Sequence, residues 1–297
     1  MCCHLVTVPI ALRRHTVIER CPVKCSWWVG GRDSAKIALG RYYFPMQAAP
    51  TPDNSPIASR TTDHARMVQR LFGGIVPRYD LMNTIMSMGF DRRWRRLTAE
   101  TGHPQGARVL DLGTGTGELA AEMARHGAAE VVGLDFAWPM LAVASARQPR
   151  RLAAEGVLTR LAWLAGDAQH LPFAGGAFDV AAAAFVLRNL ADLDQGLREI
   201  RRVLRPGGQL LSLDMVAPSS RLFRLLYRPY FWGLMPAIGG LISRQPDAYR
   251  YLPRSIDGFL TADGLAERLL DAGFTRVTHR PLGLGSVALH QATSPEA

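Results

Sequence analysis

Apolar positions recur along this chain in two alternating rhythms. From residue 107 onward, short apolar runs alternate with amphipathic stretches. "ARVLDLG" (107–113), "EVVGLDF" (130–136), "LAWLAGDA", "FDVAAAAFVL" and "QLLSLDM" predict five strands. The fourth run is long and apolar, as a central parallel strand covered on both faces should be. Between the runs, "GELAAEMARHG" predicts a helix ended by Gly127, and "PMLAVASARQ" one with Pro139 in its first turn. "DLDQGLREIRRVLRPGG" predicts an amphipathic helix closed by Pro206, Gly207 and Gly208. Single helices between successive strands imply βαβ units and a parallel sheet.

The flanks read differently. Met67, Leu71, Ile75, Leu81, Met82, Ile85 and Met86 recur at three- and four-residue steps, so 63–101 should be helical, divided at Pro77. Residues 46–60, "MQAAPTPDNSPIASR", have linker composition. After Asp214 the alternation stops for roughly 45 residues. "TADGLAERLLDAGF" then predicts a helix, and "TRVTHRPL" with "GSVALHQAT" a closing hairpin. No internal repeat is present. The expected division is a poorly ordered leader over 1–60 and one domain over 61–297. Within that domain a helical lid (63–101) and an apolar insertion (215–258) are expected.

Composition refines this picture. The net charge is +10, and residues 1–60 carry eight basic and three acidic residues. The body holds 27 and 22, so it is only mildly basic, and a solvated arginine-rich surface explains it better than a nucleic-acid partner. All four cysteines and both lysines lie in the leader. Cys21 and Cys25 with His4 or His15 make only a weak metal-site spacing, and no metal is expected. The leader does not read as a signal peptide, because Arg13 and Arg14 follow its short apolar stretch. An over-extended start, with Met46 as the natural first residue, is the alternative. "PYFWGLMPAIGGLI" (229–242) has 14 uncharged residues, fewer than the ~20 needed to span a bilayer.

The sharpest chemical signal is "VLDLGTGTGE", Val109 to Glu118. Gly113, Gly115 and Gly117 stand at a strand-to-helix turn, where glycine lets the backbone turn tightly and approach a ligand. Asp135 ends the next strand, 22 residues after Gly113, where a carboxylate can accept both hydroxyls of a ribose. A dinucleotide turn wants G-x-G-x-x-G and a bare helix N-terminus facing diphosphate. Here the pattern is G-x-G-x-G followed at once by Glu118, with Asp111 a second acid nearby. Acids there would repel pyrophosphate but suit the cationic sulfonium and ammonium of S-adenosylmethionine. That cofactor is therefore expected over NAD. In "GDAQHLPF", the Asp167 carboxylate and the Ala168 amide can meet an adenine edge. The plain alternative for Asp167 is a turn or helix cap. Ala184 should line the pocket, because ligands bind beyond the carboxyl ends of parallel strands.

Several further motifs, in order, give the chain a family likeness. They are "RYDLMNTIMSMG" with "WRR", "VLDLGTGTGELA", "VVGLDF", "GDAQHLPF", "LRNLADLDQGLREIRRVLRPGG", "DAYRYLPRSI", "LLDAGF" and "GSVALH". The chain resembles the ubiquinone/menaquinone biosynthesis C-methyltransferases over roughly Met67 to His290. The resemblance implies the class I methyltransferase fold: an α/β, Rossmann-like seven-stranded sheet whose last hairpin strand is antiparallel. It implies transfer of a methyl group from S-adenosylmethionine to a ring carbon of a polyprenylated quinol, and that Thr116, Asp135, Asp167 and Ala168 hold the cofactor. Most similar is the demethylmenaquinol reaction, with a benzoquinol or another small molecule as alternative.

The acceptor carbon is a weak nucleophile until an ortho hydroxyl loses its proton, and a phenol has a pKa of about 10. A positioned base or cation therefore helps. Tyr79, Arg188 and Asn189 are expected to converge over the methyl group, Arg188 polarising a water or stabilising phenolate. A surface salt bridge is the alternative for Arg188. His290 is a further candidate base whose plainer reading is structural. The lid would exclude water, and its methionines suit an adaptable apolar ligand.

The stretch 221–242 is apolar and aromatic, fringed by Arg221, Arg224 and Arg228. It suits a peripheral membrane contact from the cytoplasm at the inner face of the cell membrane. Its alternative is simple packing. A nucleic-acid methyltransferase is disfavoured because no Asn/Asp-Pro-Pro-aromatic tetrapeptide follows the fourth strand. Retention of Asp135, Asp167 and Arg188 argues against a non-catalytic scaffold. Family departures include Gly73 where Asp is usual, Val186 where Gly is common, and Leu260 where Pro is usual.

Overall fold

The computed structural model describes residues 79–217 and 255–296, with Val76, Pro229, Gly233 and four short strands before residue 44. Those four are β1 (Leu5–Val8), β2 (His15–Ile18), β3 (Ala38–Leu39) and β4 (Tyr42–Tyr43). Two helices follow, α1 (Tyr79–Met86) and α2 (Phe90–Gly102). The alternating body is β5 (Arg108–Leu112), α3 (Glu118–Arg125), β6 (Glu130–Asp135), α4 (Trp138–Ala154), β7 (Arg160–Ala165) and β8 (Phe178–Ala184). It continues with α5 (Leu193–Val203), β9 (Leu204–Met215), α6 (Ala262–Asp271), β10 (Thr275–Leu282) and β11 (Val287–Thr293).

The main sheet runs β1-β2-β7-β6-β5-β8-β9-β11-β10. From β7 to β9 every pairing is parallel, while β11 is antiparallel to both β9 and β10. These seven strands are the expected mixed sheet, with the last hairpin strand inserted antiparallel. From the stretch read as a leader, β2 pairs parallel with β7 and carries β1 at the edge.

Both faces of the sheet are covered, which explains the continuous apolar strands. Leu197, Ile200, Leu265 and Leu269 of α5 and α6 pack on one face, against Leu110, Phe178 and Ala181. Ala99, Leu119, Met123 and Leu141 of α2, α3 and α4 cover the other, against Val109, Trp163 and Val180. Two helices carry side-chain N-caps. Asp192 accepts from the Gln195 amide at 2.9 Å, and Thr261 from the Gly264 amide at 3.1 Å.

Three local expectations change. The fourth strand stops at Ala184 instead of running to Leu187; Phe185 turns to φ 64°, and Leu187–Asn189 forms a 3-10 turn. The reason is tertiary: Asp214 on β9 takes the Arg188 guanidinium and draws the chain over the strand end. Pro206-Gly207-Gly208 does not close the helix; α5 ends at Val203, and these residues form the irregular start of β9. Helix α4 continues through Pro149 to Ala154, because packing of the buried Gln148, Pro149 and Leu152 overrides the local cost of proline. The linker, the first lid helix, the Tyr249–Leu252 motif and the insertion 221–242 are expectations outside the described residues, Pro229 and Gly233 apart.

Candidate active site

The polar side chains gather where the parallel strands end. β5 passes into α3 through Gly113 and Gly115, at φ 56° and 54°. A side chain at Gly113 would collide with Val186, and the Gly115 amide donates to Asp135 Oδ2 at 2.7 Å. The turn thus presents bare backbone to a cavity walled by Asp135, Asp167, Ala168 and Ala184, with Tyr79 and Asn189 on the same lining.

Asp135 ends β6. Its other oxygen accepts from the Ala137 amide at 2.7 Å. Burial pushes its carboxyl above the usual range, against the pull of these backbone donors. A carboxylate has about four lone-pair sites, so acceptor capacity remains for ribose hydroxyls. Asp167, just beyond β7, behaves oppositely. Burial raises its pKa, but hydrogen bonds from His170 and Gln169 outweigh that and hold it below the usual range. Its turn role is therefore real, with Oδ1 accepting from the Gln169 amide at 2.8 Å. That role coexists with a place on the cavity wall.

Other expected cofactor residues stand behind the wall. Asp111 is buried; it accepts from Thr114 Oγ1 at 2.6 Å and from the Ala120 amide of α3. Burial raises its pKa to about 7, and its two hydrogen bonds make it a strut joining turn to helix. Gly117 packs against Gln148, Trp163 and Ala144. Thr116 Oγ1 donates to Asp80 Oδ1 at 2.7 Å. Glu118, expected to face the cofactor, instead meets Arg147 at 2.7 Å and Arg151 at 3.1 Å. Its charge is neutralised from α4, so it gives no argument against a diphosphate.

The proposed catalytic trio is partly assembled. Tyr79 and Asn189 face the cavity. Burial raises the Tyr79 pKa, while Asn83 and the nearby Arg95 and Arg188 act to lower it. Asn189 Nδ2 donates to the Phe185 carbonyl at 3.1 Å. Arg188 stands off the lining, its Nη1 2.5 Å from Asp214 Oδ1, with both side chains buried. Its salt bridge is thus internal, not superficial. Phe185, on the cavity wall, carries the Arg95 and Arg188 guanidiniums 5.5 Å and 5.9 Å from its ring centre. His290 lies elsewhere: it is buried, meets the Ala262 carbonyl at 2.8 Å, and is held below its ordinary pKa by burial. Sequence reasoning missed Asp80. Its Oδ2 meets Arg147 Nη1 at 2.7 Å, so α1 is tied to α4 and, through Thr116, to the glycine turn. Asp80 lies within the "RYDLMN" motif, but nothing local pointed to Arg147.

The model of the ubiE/COQ5 methyltransferase family matches residues 60–294. This chain belongs to that family. A demethylmenaquinone methyltransferase of Thermus thermophilus is 44% identical over 227 residues, which cover 76% of this chain and all of the relative. A ubiquinone/menaquinone biosynthesis C-methyltransferase of Geotalea daltonii is 35% identical, covering 78% and 97%. As a member of the family, the protein is an S-adenosylmethionine-dependent methyltransferase. Solved structures show the fold alone. A SAM-dependent methyltransferase of Thermotoga maritima aligns with TM-score 0.53 at 18% identity, over 76% of this chain and 98% of that one. The cyclase SpnF gives TM-score 0.53 at 22% identity, over 69% and 81%. A family member's chemistry must accordingly be argued from its site.

Proposed function

We propose that this methyltransferase methylates a ring carbon of a polyprenylated quinol, converting demethylmenaquinol to menaquinol. The observation that carries the reading is one cavity wall. It holds two carboxylates suited to a nucleoside, Asp135 and Asp167, beside a phenol and an amide suited to a ring oxygen, Tyr79 and Asn189. The Thermus relative, named a demethylmenaquinone methyltransferase, supports the naphthoquinol ring. The dual name of the Geotalea relative keeps a benzoquinol as second reading.

S-adenosylmethionine, when bound, supplies an electrophilic methyl group. Asp135 would hold its ribose hydroxyls, Asp167 and the Ala168 amide its adenine, and the Gly113–Gly117 turn its amino-acid end, with Asp111 and Thr116 bracing that turn. The acceptor must lose the proton of its ortho hydroxyl; the ring carbon then gains the methyl group and loses its own proton, and the oxygen regains one. Tyr79, its pKa raised by burial, is protonated at neutral pH. It therefore serves as hydrogen-bond donor to the developing phenolate, and not as the base. Asn189 orients that oxygen. Arg188, paired with Asp214, stands behind Phe185 and holds that part of the wall. The enzyme would meet its substrate at the inner face of the cell membrane.

The test is transfer of labelled methyl from S-adenosylmethionine to reduced short-tail demethylmenaquinone. Label in the extracted quinol supports the reading. Cofactor binding without label in any quinol removes the substrate and keeps the methyltransferase.

A further inference from the structure

Two large apolar side chains are held out into solvent from backbone positions that suit neither. Met88, between α1 and α2, is 76% exposed at φ 52°. Leu284, at the β10–β11 turn, is 86% exposed at φ 58°. Glycine or asparagine occupies the left-handed region with less strain. Within the described residues these side chains gain little burial to offset it. Backbone strain together with exposed apolar surface is the pattern of a contact surface.

The two positions belong to one face. Phe90, 46% exposed, stacks on Trp94 with ring centres 6.0 Å apart. Gly283, next to Leu284, lies against the same Trp94 ring; a Cβ there would sit 3.2 Å from Cζ2. Helical spacing puts Phe90, Trp94 and Leu97 in one stripe of α2, with Arg93 bordering it, Arg96 further round the same flank and Arg92 on the opposite side. All three arginines are exposed, and none forms an ion pair among the described residues. The stripe is also continuous with the active site. Trp94, Leu97 and Leu282 pack on Leu213, Val287 and Leu289, the buried cluster against which Ala184 and Phe185 of the cavity wall also pack.

From this geometry we infer that the face formed by Met88, Phe90, Trp94 and Leu284, flanked by Arg93 and Arg96, docks on a bilayer bearing anionic headgroups. Apolar side chains beside arginines are what a helix lying in the lipid interface requires. The inference rests on the quinol reading only for its purpose: it brings the enzyme to the layer that holds a prenyl tail. It concerns residues other than 221–242.

The experiment uses the full chain and flotation with vesicles of phosphatidylglycerol and phosphatidylcholine, beside vesicles of phosphatidylcholine alone. Met88→Asn with Leu284→Asn removes the apolar tips while suiting the left-handed backbone, so the fold is retained; Arg93→Ser with Arg96→Ser removes the flanking charge. The expected result is salt-sensitive binding to anionic vesicles, weakened about tenfold or more by either variant, with melting temperatures unchanged. Methyl transfer to a short-tail quinol in vesicle-free solution should be equal in all three proteins. Binding equal across them, or no binding by the unaltered chain, overturns the inference and leaves the proposed reaction standing. Patch-dependent flotation without methyl transfer to any quinol has the opposite meaning. A self-associated chain that Met88→Asn with Leu284→Asn dissociates, without vesicle binding, assigns the face to a second copy and also overturns it.

Discussion

Arg147 Nη1 lies 2.7 Å from Asp80 Oδ2, and this contact fastens α1, the helix proposed as a lid, to α4. Arg147 also holds Glu118 and the Thr116 carbonyl, while Asp80 holds the Thr116 hydroxyl. Lid, glycine turn and α4 thus share one charged junction, with Tyr79 as the neighbour of Asp80. Half-exposed ion pairs are individually weak, worth about 1 kcal/mol or less. Asp80→Ala or Arg147→Met should therefore raise KM for S-adenosylmethionine about three- to tenfold and leave the melting temperature nearly unchanged. Steady-state kinetics with thermal melts checks this, and Asp80→Glu should recover part of the loss.

Asp135 carries a larger share. It accepts two backbone amides and faces the cavity. Asp135→Ala leaves both amides unpaired and removes the acceptor for a ribose. Charge-assisted hydrogen bonds are worth roughly 1.5–3 kcal/mol each. Calorimetric affinity for S-adenosylmethionine should fall about a hundredfold or more.

Arg188 demands a test that separates folding from catalysis. Removing one partner of a buried pair costs about 3–5 kcal/mol. For a domain of this size that is a fall of roughly 6–20 °C in melting temperature. Arg188→Ala and Asp214→Ala should both show it. If the field of Arg188 also serves the reaction, kcat measured on the folded fraction should fall much further for Arg188→Ala than for Asp214→Ala. Equal activities would reduce Arg188 to a structural residue.

Asp111 has its pKa raised from 3.8 to about 7 by burial. The folded protein therefore binds more protons than the unfolded chain between these values. Its contribution to stability is complete below about pH 4 and declines as pH rises towards 7. Asp111→Asn keeps an acceptor for Thr114 but removes this dependence. Its melting temperature relative to the unaltered protein should be lowest near pH 4 and climb until about pH 7, as a pH series of melts would record.

Much of the fold was legible because its signals are local. Apolar runs, amphipathic stretches and the glycine turn each fall within a dozen residues, and Asp135 and Asp167 follow from their places at strand ends. The remainder depends on distant partners. Asp80 and Arg147 are 67 residues apart, and Arg188 and Asp214 are 26 apart. Glu118 was misjudged for the same reason, since Arg147 and Arg151 reach it from another helix. The early end of β8 has the same origin, because no pattern in "FVLRN" announces that Asp214 will turn it. Pro206-Gly207-Gly208 was read by local rule as a helix stop, although it serves the irregular start of β9.

The most direct test of the central claim supplies carbon-13-labelled S-adenosylmethionine with equal amounts of reduced short-tail demethylmenaquinone and a demethylated benzoquinol, and reads the products by NMR. The account predicts one labelled methyl on a ring carbon of the naphthoquinol, with the benzoquinol left largely unlabelled. Label on an oxygen, or on neither ring while the cofactor binds, would contradict it.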